Sequence, residues 1–504
     1  MPVTGSPASP QGQRSSLLEN WVSLLGALVA ACSFVAVAAL IIMDIYGGLP
    51  NPYLGILTYM VAPAFLVGGL VLILAGVLLE RRRRRGMAEG EIPRHPVIDL
   101  NNRRHQRNIL LAGTVTFLFL TITALGSYRT YHFTESVEFC GQTCHTVMKP
   151  EFTAYQTSPH ARVACVQCHI GPGADWFVKS KLSGAYQVYA TLRDIYPRPI
   201  PTPIENLRPA QETCEQCHWP QKFFGNAERV NEHFFSDDEN TPWTIRLLMK
   251  IGGGDPELGP VGGIHWHMNI ANTVEYIATD HSREVIPWVR VTDEEGNVTV
   301  YESQSSPLTE EELASLTPRQ MDCIDCHNRP SHIYRAPARA VNLAMSTGRI
   351  STDLSAIKRR ATQLLTAEYE TTDEALQAIS AGLEAEYGGT ADAATLQQAE
   401  AELRKIYETN FFPEMKVDWR VYPDHVGHTL YPGCYRCHDG QHQSADGKVI
   451  THDCNACHVI ISQGSAEVAE TLSPDGLEFV HPVDIGDLWK SVNCSVCHTG
   501  GASR

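Results

Sequence analysis

Residues 434–458 read CYRCHDGQHQSADGKVITHDCNACH and contain the pattern Cys-x-x-Cys-His twice. Each copy has two cysteines and a histidine directly after the second: Cys434, Cys437 and His438, then Cys454, Cys457 and His458. At this spacing two thiols can add to the two vinyl groups of a haem, and the adjacent histidine can ligate the iron from one face. The stretch therefore predicts two covalently attached haems of the c type.

The same pattern recurs through the chain and takes up all but one of its 15 cysteines, since only Cys32 lies outside a motif. The other copies are Cys165/Cys168/His169, Cys214/Cys217/His218, Cys323/Cys326/His327, Cys494/Cys497/His498 and, with one extra residue between its cysteines, Cys140/Cys144/His145. Disulfides, zinc ribbons and thioredoxin-like pairs also predict paired cysteines, but none of them requires a histidine after each pair. The motifs predict seven haems.

Three long stretches before residue 129 carry no charged side chain. A membrane-spanning helix needs about 20 apolar residues. We predict spanning helices at Trp21–Met43, Ile56–Leu79 and Ile109–Ser127. The Gly- and Pro-containing segment Tyr46–Gly55 connects the first two. A cleaved signal peptide is the alternative for the first stretch, but this stretch is longer than a signal sequence and two more follow it.

The loop at residues 81–107 contains nine arginines, whereas the Tyr46–Gly55 connection contains none. Because cytoplasmic loops carry the excess of Lys and Arg, this loop and the N-terminus are predicted to be cytoplasmic. The chain after residue 128 is then periplasmic or external, and covalent haem attachment belongs to that side. We predict a multi-pass protein of the inner (cytoplasmic) membrane.

The predicted fold is a three-helix transmembrane anchor plus a largely α-helical and irregular multihaem cytochrome c domain with a small β-hairpin insertion. The hairpin is predicted from Ile286–Val291 and Asn297–Tyr301, which flank the turn-forming Asp293–Gly296. Residues 354–408 show apolar positions at helical spacing and predict two or three helices separated at Gly388 and Gly389.

These features divide the chain into six predicted segments. They are a cytoplasmic N-terminus (1–18), the anchor (19–128), a trihaem segment (129–235), a hairpin-containing segment with the fourth haem (236–345), a helical insertion (346–412) and a C-terminal trihaem segment (413–504).

Charge is distributed unevenly between the first 127 residues and the rest of the chain. The first 127 residues carry 10 basic and 6 acidic side chains, so the remaining residues carry 30 and 50, a net charge of −20. Such a surface is well solvated, and it also attracts basic partners over long range. We expect periplasmic c-type cytochromes of basic charge as partners, and no nucleic acid.

The second axial position of each haem iron separates electron transfer from catalysis at the iron. Twelve histidines lie outside the motifs and beyond the loop 81–107, which is enough for every site. The favoured ligands are His160, His267, His332, His428, His442 and His481. His265 competes with His267 within His-Trp-His, and the sequence does not separate them. The reserve candidates are His233, His425 and His452, whereas His132 and His281 are expected at the surface.

The first motif has a methionine nearby, since Met148 follows His145 by three residues. A thioether ligand raises the reduction potential of a haem relative to two histidines. Met148 is therefore a candidate ligand of the first haem, and the alternative is a methionine that only packs in the interior.

The segment from the third apolar stretch onward resembles the NapC/NirT family of membrane-bound multihaem quinol dehydrogenases. The resemblance rests on Cys140–Met148, on Ser158-Pro159-His160 and on Cys165–His169. The whole chain is similar to the larger seven-haem inner-membrane cytochromes of the ImcH type. The resemblance implies oxidation of quinol from the membrane pool, with menaquinol as substrate, and electron delivery to periplasmic acceptors in anaerobic or extracellular respiration.

Family members also place a lysine and an aspartate near the quinol, after the second motif. The corresponding stretch 175–184 reads DWFVKSKLSG, so the resemblance makes Lys179, Lys181 and Asp175 the quinol-site candidates, with Ser183 where the acid is expected. The alternative role of the lysines is contact with lipid headgroups. The first motif also departs from the C-x-x-C-H-x-M form of many members, because both of its spacings are longer.

Three functions fit these features to different degrees. A quinol-oxidising electron-transfer protein needs haems with both axial positions filled. A multihaem reductase of a small N- or S-oxyanion needs an iron with an open position, which would show as a lysine in place of a motif histidine or as too few distal ligands, and neither is seen. A passive electron-transfer subunit that docks another enzyme predicts the same haems without quinol oxidation.

Overall fold

The computed structural model describes residues 17–18, 20–47, 62–85, 100–143, 145–171, 173–204, 208–252, 262–268, 272–465, 468 and 471–501. The chain divides into two compact units. One unit comprises residues 1–134 and 171–182, and the other comprises residues 135–170 and 183–504. Most of the predicted Tyr46–Gly55 connection and the middle of the predicted loop 81–107 lie outside the described residues.

The first unit contains three long helices: α1 (Trp21–Gly47), α2 (Ala62–Arg84) and α3 (Arg103–Thr134). Among the described residues, α1 over Trp21–Ala39 and α2 over its full length are long and apolar enough to cross a membrane. The third predicted span lies within α3, a helix of 32 residues. At about 1.5 Å per residue α3 is longer than a bilayer core is thick, and a membrane crossing by this helix stays a prediction.

Helices α1 and α2 pack through small residues. A Cβ atom at Gly26 would lie 2.7 Å from the Gly69 carbonyl oxygen, and one at Gly69 would lie 2.6 Å from the Ala30 nitrogen. The Ser23 hydroxyl donates a hydrogen bond of 3.2 Å to the Ile73 carbonyl across the same contact. Close backbone approach through Gly, Ala and Ser is the way helices associate within lipid, so this contact suits a membrane anchor.

The helices after residue 134 are mostly short. They are α4 (His145–Gln156), α5 (Cys165–His169), α6 (Ala174–Arg193), α7 (Ala210–Cys214), α8 (Glu310–Ser315), α9 (Cys323–Cys326), α10 (Pro337–Ser346), α11 (Ile357–Thr366), α12 (Thr372–Tyr387), α13 (Ala393–Asn410) and α14 (Cys494–Cys497). Single 3-10 turns lie at Pro220–Lys222, Trp266–Met268, Pro413–Met415, Gly433–Arg436, Cys454–Ala456 and Leu488–Lys490. Four of these helices and turns begin at the first cysteine of a haem motif: α5, α9, α14 and the turn Cys454–Ala456.

Two antiparallel sheets lie in the second unit. The strands are β1 (Asn226–Phe234), β2 (Pro242–Lys250), β3 (Thr273–Ile277), β4 (Trp288–Thr292), β5 (Val298–Ser303), β6 (Arg319–Gln320), β7 (His442–Ser444) and β8 (His458–Gly464). Their orders are β1-β2-β8 and β6-β3-β4-β5-β7. The predicted hairpin corresponds to β4 and β5. The sequence predicted only this small hairpin, whereas β4 and β5 are the third and fourth strands of a five-stranded sheet.

The helical insertion forms a conventional hydrophobic core. Helices α11, α12 and α13 occupy the stretch where two or three helices were predicted, and Gly388 and Gly389 lie between α12 and α13. Side-chain caps fix two of the starts, since Thr371 accepts from the Glu374 amide and Asp392 from the Thr395 amide. The fully buried members of the core include Val341, Ala361, Ile379, Leu383 and Leu403.

Lys358 is a charged side chain within this core. Its exposed fraction is 4 %, and its Nζ donates a hydrogen bond of 2.5 Å to the Ala338 carbonyl. Burial lowers the pKa of Lys358 to about 7 from its ordinary 10.5. Between these two values the unfolded chain binds more protons than the folded chain, so the unfolding free energy rises with pH across that window.

Replacing this lysine by methionine is therefore expected to raise the thermal midpoint of the haem-loaded protein by several degrees near pH 6. The gain should shrink as the pH rises from about 7 toward 10.5, because the native lysine is neutral in both states at the upper end. Thermal unfolding of Lys358→Met across this range measures it. Lys405→Met is the matched control, since Lys405 is exposed on α13. An increase in the thermal midpoint that is the same at every pH would show that folding does not lower the pKa of Lys358.

Candidate haem sites

The seven motifs are called sites 1 to 7 in chain order. At most sites the motif folds as a single helical turn, so the histidine lies one turn after the first cysteine. The backbone amide of the histidine donates to the carbonyl of that cysteine at four sites: His218 to Cys214 (2.8 Å), His327 to Cys323 (2.8 Å), His438 to Cys434 (3.0 Å) and His498 to Cys494 (2.9 Å). Residues one turn apart share a helix face, so the first thiol and the imidazole approach the same side of a haem.

Site 1 accommodates its extra residue by a different local fold. The segment Phe139–Thr143 is a π-helix, and a π-helix closes its hydrogen bonds over five positions rather than four. This wider turn matches the five positions from Cys140 to His145. The longer motif is thus compatible with the same use of one cysteine and one histidine on a common face.

Six motif histidines face a second histidine from another part of the chain. The pairs and their ring-centroid separations are His218 with His160 (6.1 Å), His169 with His332 (6.3 Å), His327 with His265 (6.4 Å), His438 with His267 (5.8 Å), His458 with His428 (6.2 Å) and His498 with His481 (6.0 Å). Two metal–nitrogen bonds of about 2 Å each, plus half a ring on either side, give roughly 6 Å. The pairs therefore fit one iron atom between the two rings.

The second nitrogen of most facing rings is held by a backbone carbonyl. Nδ1 donates from His160 to Pro330 (3.3 Å), His265 to Ile251 (3.0 Å), His267 to Ile264 (3.2 Å), His332 to Glu151 (3.0 Å) and His481 to Val483 (2.7 Å). This contact fixes the tautomer that leaves Nε2 as the ligating atom and orients the ring. Burial also lowers the pKa of His267 and of His332 to about 4, which keeps both rings neutral, as metal ligation requires.

The structure brings both His265 and His267 close to a motif histidine, and which of them ligates a haem stays a prediction. They lie either side of Trp266, and each faces the histidine of a different motif, His327 for His265 and His438 for His267. The sequence pointed to one ligand at this place because a single iron cannot accept both. Two neighbouring sites explain the pattern His-Trp-His.

Among the described residues, the predicted ligand His442 makes no ring contact with a motif histidine. Its Nδ1 lies 2.9 Å from Asp439 Oδ1, and its Nε2 lies 2.7 Å from the Ile286 carbonyl oxygen, both within hydrogen-bond distance. Burial opposes the charged ring, but the hydrogen bonds to Asp439 and Ile286 raise the pKa of His442. With a protein oxygen in hydrogen-bond contact at each nitrogen, the buried His442 ring presents no free nitrogen to an iron in this arrangement, which favours a structural role.

The reserve histidines do not form facing pairs of their own. Among the described residues His233, His425 and His452 make no ring contact with a motif histidine, and His425 donates through Nδ1 to the Asp325 carbonyl at 3.1 Å. Its exposed fraction is only 3 %, which leaves no room for a haem against it. His132 and His281 are exposed, as expected.

At site 1, Met148 lies three residues after His145 on helix α4. Residues three apart share a helix face, so an unbroken helix cannot present both to opposite faces of one haem. Met148 is half-buried, and the His145 side chain and Cys144 lie outside the described residues. The methionine and the histidine are thus alternatives for one axial position.

Neighbouring motifs approach each other through their cysteines, in the order of the chain. The Cys140 and Cys165 thiols, and the Cys214 and Cys323 thiols, are hydrogen-bond neighbours. The other successive pairs are close enough for their charges to interact: Cys168 with Cys217, Cys326 with Cys434, Cys434 with Cys457, and Cys454 with Cys494. Sites 1 to 7 therefore form a continuous succession.

A buried carboxylate within motif 4 was missed by sequence reasoning. Asp325 is 1 % exposed, and its Oδ1 accepts from the Tyr276 hydroxyl (2.6 Å), Arg283 Nη1 (2.7 Å) and Arg319 Nε (3.0 Å). Three donors on different strands and loops thus hold the turn that carries Cys323 and Cys326. The available signal was the Asp322-x-x-Asp325 pattern, which forms a capping box on α9.

The quinol-site candidates lie on α6. Lys181 is half-buried in the first unit, where its Nζ donates to Thr134 Oγ1 at 3.2 Å and lies 4.9 Å from the centre of the Phe177 ring. The Tyr131 and Phe177 rings are 6.1 Å apart. These contacts tie the beginning of α6 to the last turn of α3, and they leave Lys181 in a partly apolar setting.

The other two candidates are placed differently. Lys179 is exposed, with its Nζ 4.7 Å from the centre of the Trp176 ring. The side chain of Asp175 lies outside the described residues. Of the two lysines, Lys181 alone is held in a fixed position by contacts to a second helix.

The chain was compared with known proteins. The profile of the NapC/NirT cytochrome c family, N-terminal region, matches residues 102–198. The cytochrome c-type protein ImcH of Geobacter sulfurreducens is 45 % identical over 494 residues, which cover 96 % of either chain. No solved structure matches. The paired cysteines and facing histidines are what a protein with covalently bound haem requires, and the chain belongs to the NapC/NirT family of membrane-anchored c-type cytochromes of electron transport.

Proposed function

We propose that the chain is a seven-haem quinol dehydrogenase that oxidises menaquinol at the membrane and passes electrons through sites 1 to 7 to periplasmic acceptors. The observation that carries this proposal is the unbroken succession of motifs. Bound haem supplies a one-electron carrier at each site. The chain's own residues set the order and spacing of the carriers.

The facing histidines favour electron transfer over reduction of a small oxyanion. At sites 2 to 7 a second histidine approaches from the side opposite the motif histidine, at a centroid separation of 5.8 to 6.4 Å. Such pairs leave no exchangeable position for a substrate. The backbone carbonyls on Nδ1 hold five of these rings in place, so an easy displacement of the ligand is not expected.

Electron entry is proposed at site 1, which follows the third anchor helix in the chain. Site 1 begins at Cys140, a few residues after α3 ends at Thr134. Lys181 donates to Thr134 itself, and an ammonium held beside an aromatic ring can bind the oxygen of a quinol headgroup. We propose Lys181 as the quinol-binding residue, with Lys179 and Asp175 as secondary candidates.

The proposed orientation places the N-terminus and the arginine-rich loop in the cytoplasm and the haem domain in the periplasm. It is supported by the run Arg81–Arg84 in the last turn of α2. The excess of acidic side chains after residue 127 supports a basic periplasmic cytochrome as the acceptor.

Reduction of the purified, haem-loaded protein by a menaquinol analogue in detergent tests the proposal. Full reduction on a turnover timescale, blocked by a quinone-site inhibitor, is the expected result. Lys181→Met is expected to slow this reduction about tenfold or more, since one charge-assisted hydrogen bond to the headgroup is lost. Reduction by dithionite should be unchanged.

Lys179→Met is the matched control, because this lysine lies on the same helix but is exposed. It should reduce the rate much less than Lys181→Met. A native protein that dithionite reduces and menaquinol does not would overturn quinol oxidation and leave a passive electron-transfer subunit. Equal effects of the two lysine variants on the reduction rate would show that Lys181 is not the residue that binds the quinol headgroup.

A further inference from the structure

Site 6 differs from the other paired sites in what holds its second histidine. At the other five, a backbone carbonyl accepts from Nδ1 of the facing ring. Nδ1 of His428 instead lies 3.8 Å from the sulfur of Cys494, which belongs to site 7. Sulfur is a weak acceptor, and the backbone group in contact with the ring is that of His428 itself, so contacts from other side chains contribute to its orientation.

Tyr435 supplies those contacts, although it belongs to motif 5. Its ring lies flat on His428, with centroids 4.3 Å apart and planes inclined by 12°. The Tyr435 ring also contacts the His452 ring, with centroids 4.6 Å apart and planes inclined by 48°. The Tyr435 side chain also lies near the sulfur of Cys454, the first cysteine of site 6. One tyrosine thus touches both the facing ligand and an attachment point of the same haem site.

The result is a ring in contact with three consecutive sites. His428 faces His458 of site 6, stacks on Tyr435 between the two cysteines of site 5, and reaches Cys494 of site 7. We propose that His428 is the junction of the C-terminal trihaem segment and that Tyr435 is the positioning residue that sets its ring plane. The inference rests on the haem ligation proposed above, and it adds a role for a residue between two motif cysteines.

The ring planes give a spectroscopic readout that does not depend on activity. The His428 and His458 planes are inclined by 15°, and the only comparable pair among the described residues is His265 with His327 at 14°. Pairs close to perpendicular occur at sites 3 and 5, at 76° and 88°. Near-parallel imidazoles give a rhombic low-spin ferric spectrum, whereas near-perpendicular imidazoles give a strongly axial one.

The experiment compares low-temperature paramagnetic resonance spectra of the full, haem-loaded chain and its Tyr435 variants. Tyr435→Leu removes the flat ring and is expected to lose about half of the rhombic intensity, since one of two near-parallel pairs is released. Tyr435→Phe keeps the ring and should keep the full rhombic intensity. Val166→Ala, at the same position of motif 2, is the matched control and should leave the rhombic signal unchanged.

Haem content separates this inference from the proposal on which it rests. A pyridine haemochrome assay that finds fewer than seven haems in the native protein would overturn the haem count itself. Seven haems in every variant, with the rhombic intensity of Tyr435→Leu equal to that of the native protein, would overturn the positioning role alone. Loss of the rhombic signal in Tyr435→Phe as well would assign the effect to the hydroxyl and overturn the role of the ring.

Discussion

Replacing both Cys323 and Cys326 by alanine is expected to remove one haem and to stop electron transfer from the membrane end to the C-terminal three sites. The succession of cysteine contacts passes from site 3 to site 4 through Cys214 and Cys323, and from site 4 to site 5 through Cys326 and Cys434. Without site 4 the remaining sites form two separated groups. The expected loss in rate is several powers of ten.

Two measurements check this result. The haem content, by pyridine haemochrome and intact mass, should fall by one haem relative to the native protein. Menaquinol should then reduce three haems rapidly and leave three oxidised, while dithionite reduces all six. Cys32→Ser is the matched control, because this cysteine lies in α1 outside every motif, and it should change neither quantity.

Asp325 makes a second variant necessary, because the cysteine replacements alter the turn that this buried carboxylate holds. His265→Ala leaves both cysteines in place and removes only the facing ring at site 4. It should retain seven haems and slow transfer beyond site 4. Rapid reduction of the last three haems in both variants would overturn the linear order of the sites.

His267→Ala is expected to convert site 5 to a high-spin haem, whereas His442→Ala is expected to leave every haem low-spin. His267 faces His438 at 5.8 Å, so its removal opens an axial position. Both nitrogens of His442 contact protein oxygens, and its removal takes one hydrogen-bond partner each from the Ile286 carbonyl and from Asp439. Buried groups that lose a partner cost about 1–3 kcal/mol each.

The two variants should therefore differ in the property that changes, which is the spin state of one haem in His267→Ala and the thermal stability in His442→Ala. The optical and paramagnetic resonance spectra of His267→Ala should show a new high-spin signal worth one haem. His442→Ala should show the native spectra but a lower thermal midpoint. A high-spin signal in His442→Ala, with none in His267→Ala, would restore His442 as the ligand and contradict the hydrogen bonds seen here.

The two cysteines and the histidine of each motif were recognisable in the sequence, whereas the facing histidine was predictable only in part. Cysteine and histidine spacing within a motif is a local property, because one helical turn places the residues together. The facing histidine comes from a distant segment, so its identity depends on the tertiary fold. His160 stands five residues before Cys165 of site 2, yet it faces His218 of site 3.

The fold shows the same division. Helices α11 to α13 follow from apolar periodicity, with side-chain caps at the starts of α12 and α13, and they lie where they were expected. Strand β1 reads NAERVNEHF, and its polar composition gives no alternating pattern to detect. It forms because β2 pairs along its whole length, from Asn226 with Lys250 to Phe234 with Pro242. Pairing of this kind between separate segments cannot be predicted from a short window of the sequence.

The facing pairs also bear on how the motif-carrying part of the chain reaches its folded state. His169 and His332 are separated by two complete motifs, those of sites 3 and 4, and the motif of site 4 also lies between His267 and His438. A group bound between such partners closes a long loop, in the same thermodynamic sense as a disulfide that joins distant residues. Each loading event therefore removes conformational entropy from the unloaded chain, and maturation and folding become a single coupled process. Cells that fail to attach haem should accumulate a protease-sensitive chain rather than a stable empty one.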